Sequence, residues 1–360
     1  MQLNNKVLIS AAGSGKTTYL VDHALKQEQK KILILTYTID NLKQIKKKII
    51  KKSGVIPSNI TVKSWFSFLL TGCARPYQNF LYDKKRIKSI HFAMGKSTRY
   101  IKRSNIEKYY FKAGEYIYTD KISDFICRCN EESGNLVIDR LESMYDYIYI
   151  DEVQDLAGYD FDLLDLFFSS NLNLVLVGDN RQATYFTNNS PKYKKFKGKN
   201  ILDLFKDWEE KDKCTIEYRT ECYRCNQTIC DLADSLYPKM ENTMSENHKI
   251  TGHDGLFFIK KKDMDKYINE YSPQLLRYDR RTKLPGTNVI NFGESKGLTF
   301  DRVLIVPNGK IKEFLKTGDY KHVEKSKAKL YVAITRAKYS VTFVYDGQVA
   351  IDNIFKYSCD

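Results

Sequence analysis

Two groups of residues suit chemistry on a phosphate, and they lie far apart in the chain. The first is Gly13-Ser14-Gly15-Lys16-Thr17-Thr18, within KVLISAAGSGKTTYL (Lys6 to Leu20). Its glycines let backbone N–H groups turn inward around phosphate oxygens, and the N-terminus of a following helix adds its positive dipole end. Lys16 is then placed to reach the β- and γ-phosphates of a nucleoside triphosphate, and the Thr17 hydroxyl to hold Mg²⁺. The strict pattern asks for glycine where this chain has Ser10. The apolar run before the loop and the amphipathic one after it still supply the strand, loop and helix that such a site needs. The second group is Asp151-Glu152-Val153-Gln154-Asp155, which directly follows the strand-like YDYIYI of Tyr145 to Ile150. Asp151 there would order Mg²⁺, usually through its water shell, because this ion dehydrates reluctantly. Glu152 suits the general base that polarises an attacking water.

Three weaker signals accompany these. Gly178-Asp179-Asn180-Arg181-Gln182 closes another strand-like run, and Gln182 suits a reader of the γ-phosphate. Arg219, in Glu217-Tyr218-Arg219-Thr220, and Arg336, in the run Tyr331 to Lys338 (YVAITRAK), each offer a cation for charge that develops in a transition state. Surface solvation or ion pairing is the plain alternative for either arginine alone. Cys222-x2-Cys225, with Cys214 and Cys230 nearby, has no second CxxC and no His pair, and Cys222 to Cys230 reads as helix. Free thiols are expected there rather than a metal site.

These residues need a scaffold of alternating strands and helices. Lys31 to Thr38 (KILILTYT) and Asn59 to Val62 read as buried strands. Asn41 to Lys52 between them repeats apolar residues at helical spacing among lysines. That alternation predicts βαβ units and a parallel sheet. From about Trp65 to Tyr145 the pattern turns mostly helical, with basic and aromatic residues interleaved (Arg99, Tyr100, Lys102, Arg103, Lys108, Tyr109, Tyr110). Strand signals return at Asn173 to Val177. After about Lys213 to Tyr218 they recur at Leu256–Ile259, Gln274–Arg277, Asn288–Phe292, Arg302–Val306 and Ser340–Tyr345, with a helix over Lys329 to Ala337.

The 360 residues suffice for two or three domains with a proper core. A net charge of +15, from 59 basic and 44 acidic residues, favours a polyanionic partner, though a solvated basic surface would account for it too. No apolar run is long enough to span a membrane, no signal-peptide pattern opens the chain, and eight scattered cysteines suit a reducing, cytoplasmic setting.

Taken in order, GSGKTT, DEVQD, GDNRQ, YRT, SKGLTFD and YVAITRAK resemble the ordered motifs of superfamily 1 DNA helicases of the UvrD/Rep type. A P-loop nucleotide kinase has no reason to carry DEVQD or the late TRAK arginine. The resemblance covers nearly the whole chain outside residues 65–145. It implies an α/β fold of two RecA-like P-loop NTPase domains, the first (1–64 and 146–214) carrying a helical insertion (65–145) and the second spanning 215–360. It further implies ATP and Mg²⁺ in a cleft between them. Gly13, Ser14, Gly15, Lys16, Thr17, Thr18 and Tyr218 would bind ATP, Tyr218 by stacking on adenine. Lys16, Asp151, Glu152, Gln182, Arg219 and Arg336 would act in hydrolysis. Single-stranded or tailed duplex DNA would lie on Thr36, Tyr37, Thr38, Ser64, Trp65, Tyr185, Phe186, Asn291 and Lys296, and move in the 3′ to 5′ direction. Aromatic residues there suit stacking on bases of any sequence.

Several departures accompany the resemblance. With the loop's strand beginning near Lys6, the family's upstream adenine-reading glutamine is expected to have no counterpart here, which leaves strict selectivity for ATP open. Thr187 stands where the family has a stacking Trp, with Phe186 as neighbour, while Thr299 replaces a Glu and Gly293 a His. Only about seventy residues separate Arg219 from Ser295, so the family's large second-domain insertion is expected to be missing. A minimal motor follows, or alternatively a nucleotide-gated DNA-binding subunit serving a nuclease or another protein of a repair or defence complex.

Overall fold

Runs of β-branched and apolar residues form two parallel sheets, each belonging to its own compact unit. The computed structural model describes residues 5–93, 95–282, 284 and 288–357, with only the backbone of Lys199. The first unit comprises Met1–Ile9 and Lys16–Tyr218; the second comprises Ser10–Gly15 and Arg219–Asp360.

In the first unit the sheet order is Ile60–Ser64, Ile32–Thr36, Tyr147–Asp151, Asn173–Gly178, Lys6–Ser10 and Thr215–Arg219. The first five strands run parallel, for example with Ile34 beside Tyr149 and Leu8 beside Val177. Parallel strands need crossovers, and crossovers put helices on both faces, so every residue of Ile32–Thr36 is buried. One face packs Leu8, Ile34, Tyr149 and Val177 against Leu20, Val21, Ile45 and Ile49 of helices Lys16–Leu25 and Ile39–Ser53. The other packs Val7, Leu33, Ile148 and Leu176 against Phe161, Leu164 and Phe167.

Between Ser64 and Tyr147 the chain forms helices Ile122–Glu132 and Leu136–Met144 and a π-helical turn at Phe68–Ala74. To these it adds a small sheet of Ser89–His91, Tyr116–Tyr118 and Phe111–Lys112. Strands of two or three residues are too short to show a period of two, which is why the sequence pattern gave only the helices.

The second unit's sheet runs Val289–Asn291, Gln274–Arg277, Phe300–Val306, Ala337–Val344, Gly255–Ile259 and Ile354–Lys356, with every pairing parallel. Leu276, Val303, Ile305 and Val341 meet Ile229, Leu236, Ile311 and Leu330 on one face. Ile259, Leu304 and Val344 meet Met264 and Tyr267 on the other. Each unit is thus a parallel sheet flanked by helices, the RecA-like class that the motif order implies. Among the described residues no helix is long and apolar enough to cross a membrane.

One local expectation fails here. Cys222 to Cys230 is not a continuous helix: Cys222 ends a two-residue strand and the helix spans Gln227–Ser235. Asn226 stops it from starting earlier, because its extended backbone and its side chain, which accepts from the Ile229 N–H at 3.1 Å, make it the N-cap.

Candidate functional site

The phosphate loop begins where strand Lys6–Ser10 ends. Gly13 and Gly15 both adopt φ +78°, a backbone that L side chains rarely reach, and this turns successive N–H groups to one side. The hydroxyls of Ser10 and Ser14 are buried with no protein partner, so the loop holds polar atoms that an oxyanion would satisfy. Within the second unit, Ala11 donates its N–H to the Arg219 carbonyl at 3.1 Å, and Tyr223 donates to the Gly13 carbonyl at 3.0 Å. The Ala12 N–H donates to the Tyr331 hydroxyl at 3.2 Å.

Lys16 and Thr17 open helix Lys16–Leu25 in the first unit and face the ends of two neighbouring strands. The Thr17 hydroxyl donates to Asp151 Oδ2 at 3.1 Å, and Lys16 Nζ lies 4.0 Å from Asp179 Oδ2. Thr18 instead accepts from Lys48 Nζ at 3.0 Å. Asp151 is buried at the end of its strand, and its carboxyl is pushed up to about 6. Burial is the main cause, followed by the charge of Glu152, while Lys16 and Thr17 act the other way. A hydroxyl beside a buried carboxylate crowded by a second carboxylate suits a hard divalent cation, which would relieve that repulsion.

Glu152 sits at φ +59°, uncommon for a residue with a Cβ, where the chain turns sharply off the strand. Gln154 braces it. Its Nε2 donates to Glu152 Oε2, and its Oε1 accepts the Asp179 N–H at 3.0 Å. Gln182 is buried and donates to Asp179 Oδ2 at 2.7 Å. Asp179 therefore joins the lysine and the glutamine, and Gln154 joins the two acidic strand ends. Neither residue was singled out from sequence, although DEVQD and GDNRQ contain both. A polar residue at each strand end was the available signal.

In the second unit Arg336 is 1% exposed. Its guanidinium donates to the Val332 carbonyl at 3.0 Å, the Leu298 carbonyl at 3.1 Å and the Thr335 hydroxyl at 3.2 Å. Arg219 is half-buried and ends its strand, and Tyr218, the preceding residue, is exposed.

The residues expected to face DNA divide by exposure. Tyr37 meets Phe66 edge to face, Tyr185 is exposed, and Phe186 lies under the ammonium of Lys197. Asn291 Oδ1 accepts from Arg277 Nε at 3.0 Å, and Lys296 is half-buried one residue after the buried Ser295. Thr38 and Ser64 serve as helix N-caps, accepting from the N–H groups of Asn41 and Ser67. Thr36 is buried at its strand end.

Trp65 corrects the expectation made for it. It is 1% exposed and packed beside Phe68 in the first unit's core, so neither ring face is open to a base. It follows the N-cap Ser64 directly and its side chain lies inside the buried apolar cluster of the first unit. Thr187, in the family's Trp position, is also buried; it donates to Asp160 and its N–H to the Asp155 carbonyl at 2.8 Å. Among the described residues no cluster of three or more His, Cys, Asp or Glu has the geometry of a metal site.

Lys16 and Thr17 opening the helix that follows a glycine loop, with the Asp151 carboxylate at the end of a parallel strand of the same unit accepting from Thr17, define a P-loop NTPase. Residues 136–345 match the family described as the viral superfamily 1 RNA helicase core domain, and residues 1–188 match an AAA domain family. The chain belongs to the superfamily 1 helicases.

Over 107 residues it is 32% identical to YjcD of Bacillus subtilis (strain 168), a protein assigned by name to the ATP-dependent DNA helicases. That match covers 29% of this chain and 13% of YjcD. Similar solved structures include Arterivirus nonstructural protein 10 (helicase), alone and in complex with DNA. Sequence identities are 14% and 13% and TM-scores 0.48 and 0.49; both cover 95% of this chain, and 59% and 61% of theirs. The chain thus spans only part of the length of the proteins it resembles.

Proposed function

We propose that this chain hydrolyses ATP with Mg²⁺ and couples hydrolysis to 3′ to 5′ movement along single-stranded DNA, in the manner of UvrD/Rep-type helicases. The observation that carries this reading is the meeting of Lys16, Thr17, Asp151 and Asp179, with Glu152 and Gln182 braced beside them. Lys16 would bind the β- and γ-phosphates, with backbone N–H groups of Gly13 to Thr18 around them. Thr17 and Asp151 would hold Mg²⁺, which supplies charge neutralisation between the phosphates. Glu152 would take the proton of the attacking water. Gln182 would report the γ-phosphate through Asp179, and Arg219 and Arg336 would neutralise charge as the γ-phosphoryl leaves. Tyr218 would stack on adenine. Tyr37, Tyr185 and Phe186 would stack on bases, with Asn291 and Lys296 as polar contacts and the basic surface on the phosphates.

ATPase assays with single-stranded DNA, duplex DNA and RNA, read beside strand displacement on tailed duplexes, test the reading. Stimulation by single-stranded DNA with displacement supports it; hydrolysis indifferent to every nucleic acid overturns it. Stimulation by RNA alone would place the chain with the RNA helicases that its matching family is named for. A second reading draws on the short stretch between Arg219 and Ser295. There the chain is a nucleotide-gated subunit of a nuclease, repair or defence complex. Stable co-purification of a partner without unwinding favours it, and robust unwinding by the isolated chain opposes it.

A further inference from the structure

From Thr184 to Asn200 the chain carries five lysines and four aromatic residues, and no acidic residue at all. Tyr185 and Phe186 at its start belong to the strand path proposed above, while Lys192 to Lys199 have no named role in it. Solvation is the ordinary reason for a run of lysines, but a merely solvated run needs no fixed supports. This loop has two. Buried Asp160 accepts from the Thr187 hydroxyl and from Asn188 Nδ2 at 3.2 Å, and Asn188 Nδ2 also reaches the Ala157 carbonyl at 2.6 Å. Gly158, at φ +59°, lies so close that a Cβ there would meet Ser190 Cβ at 2.6 Å. Further on, Asp162 accepts from Lys192 Nζ at 2.7 Å and from the Tyr193 hydroxyl at 3.0 Å, and Tyr193 meets Phe161 edge to face.

Beyond these supports the lysines are not matched by carboxylates. Asp162 takes Lys192 and Asp165 takes Lys213, and among the described residues none pairs with Lys194, Lys195 or Lys197. Lys194 and Lys195 are exposed. Lys197 is half-buried; its ammonium donates to the Asn188 carbonyl at 2.9 Å and stands 4.5 Å over the Phe186 ring. Gly198 keeps the turn close to that ring, since a Cβ there would lie 3.6 Å from Phe186 Cζ. Burial first, and then the charge of Lys194, pull Lys197 below the usual lysine pKa, the opposite of what a carboxylate partner would do. Two ammonium groups that repel each other are thus held beside an aromatic ring without a counter-charge.

We propose that Lys194 and Lys197 form a phosphate-binding subsite for single-stranded nucleic acid, gripping the backbone of the strand whose bases stack at Tyr185 and Phe186. The subsite rests on the nucleic-acid path proposed above and extends it to residues that no motif of the family covers. A phosphate between the two ammonium groups removes their repulsion and supplies the charge that half-buried Lys197 lacks. The neighbouring rings decide the form of the ligand, because paired bases in a duplex offer no open face to an aromatic side chain. Lysine is a point charge on a flexible stem, so it holds phosphate without reading sequence. The loop therefore adds affinity of equal size for every base composition.

The test measures binding of the purified full chain to fluorescent oligothymidylate, oligoadenylate and oligouridylate across about 50 to 200 mM salt. Each phosphate neutralised on a single strand contributes about 0.7 to the slope of log affinity against log salt. Lys194→Gln and Lys197→Gln are each expected to lower that slope by about 0.7 and to weaken binding several-fold, equally on every oligomer. Lys197→Arg keeps the charge and is expected to keep the slope. Lys316→Gln removes the same charge from an exposed position on helix Gly309–Thr317 of the second unit, and is expected to change nothing. An unaltered slope in Lys194→Gln and Lys197→Gln, whether or not affinity falls, overturns the subsite, as does an equal loss in Lys316→Gln. Lysine-dependent binding with hydrolysis that no nucleic acid stimulates overturns the functional reading alone. A parent chain that binds no single strand overturns both.

Discussion

Thr17 and Asp151 stand 134 positions apart in the chain, and the Thr17 hydroxyl donates to the Asp151 carboxylate at 3.1 Å. A helix N-terminus and the end of a parallel strand are brought together there, and the pair is what a divalent cation would bridge. If the pair holds the cation as proposed, replacing either partner would remove one contact to it without opening the core. Thr17→Ala and Asp151→Asn are each expected to raise the Mg²⁺ concentration needed for half-maximal hydrolysis and to leave the thermal unfolding midpoint near the parent's. A titration of phosphate release against Mg²⁺ checks this; an unchanged midpoint for Asp151→Asn would remove Asp151 from the cation site.

Trp65 and Tyr37 lie close in the first unit but serve differently. Trp65→Ala empties a core position and is expected to cost about 3–5 kcal/mol of stability by urea unfolding. Tyr37→Ala leaves stability nearly unchanged and weakens single-stranded DNA binding by about 1–3 kcal/mol. A Trp65→Ala chain as stable as the parent, with DNA affinity lost, would contradict the burial of the indole.

The two loop glycines separate conformation from space. Both adopt φ +78°, so alanine strains either position by about 1–2 kcal/mol. At Gly15 a Cβ meets nothing within 4 Å, whereas at Gly13 it collides with Arg224 and Cys222. Gly13→Ala is therefore expected to lower the unfolding midpoint, or displace the Cys222–Cys225 turn, more than Gly15→Ala does. Equal effects would mean that backbone strain alone decides.

His253 gives the second unit a pH dependence. It is 5% exposed, stacked between Phe257 and Tyr271 at 4.2 and 3.9 Å, edge-on to Tyr357, and 2.7 Å from the Tyr267 hydroxyl. Burial chiefly, and then the Arg302 charge, lower its pKa from 6.5 to about 4, while Glu270 and Asp254 act the other way. A depressed histidine pKa means that the unfolded chain binds the proton first as pH falls. Stability from this group is thus full above about pH 6.5 and declines through about pH 4, by as much as about 3 kcal/mol. Urea unfolding at pH 7, 5.5 and 4.5 measures the decline, and His253→Phe, which keeps the stack, is expected to flatten the contribution. An identical slope in that variant would assign the pH dependence to other groups.

Much of this molecule is legible in its sequence because parallel strands buried on both faces are written as unbroken apolar runs. Ile32–Thr36, Asn173–Gly178 and Gln274–Arg277 lie where those runs lie. The acidic pair and the glycine loop are legible for a similar reason, since each directly follows such a run. Trp65 was misread because motif position fixes a residue's place along the chain and not the face its side chain takes. Gln154 and Asp179 were passed over as they act through other side chains, and a bracing hydrogen bond leaves no periodic trace. The turn at Cys222–Cys225 was hidden by helical spacing that continues back across the N-cap Asn226.

The most direct measurement is steady-state ATP hydrolysis by the purified chain with and without single-stranded DNA, beside Lys16→Ala and Glu152→Gln. Hydrolysis that rises strongly with single-stranded DNA is predicted, together with a loss of about 100-fold or more in each variant while both remain folded. Hydrolysis unchanged by DNA, or retained in Lys16→Ala, would contradict a DNA-coupled motor built on this loop.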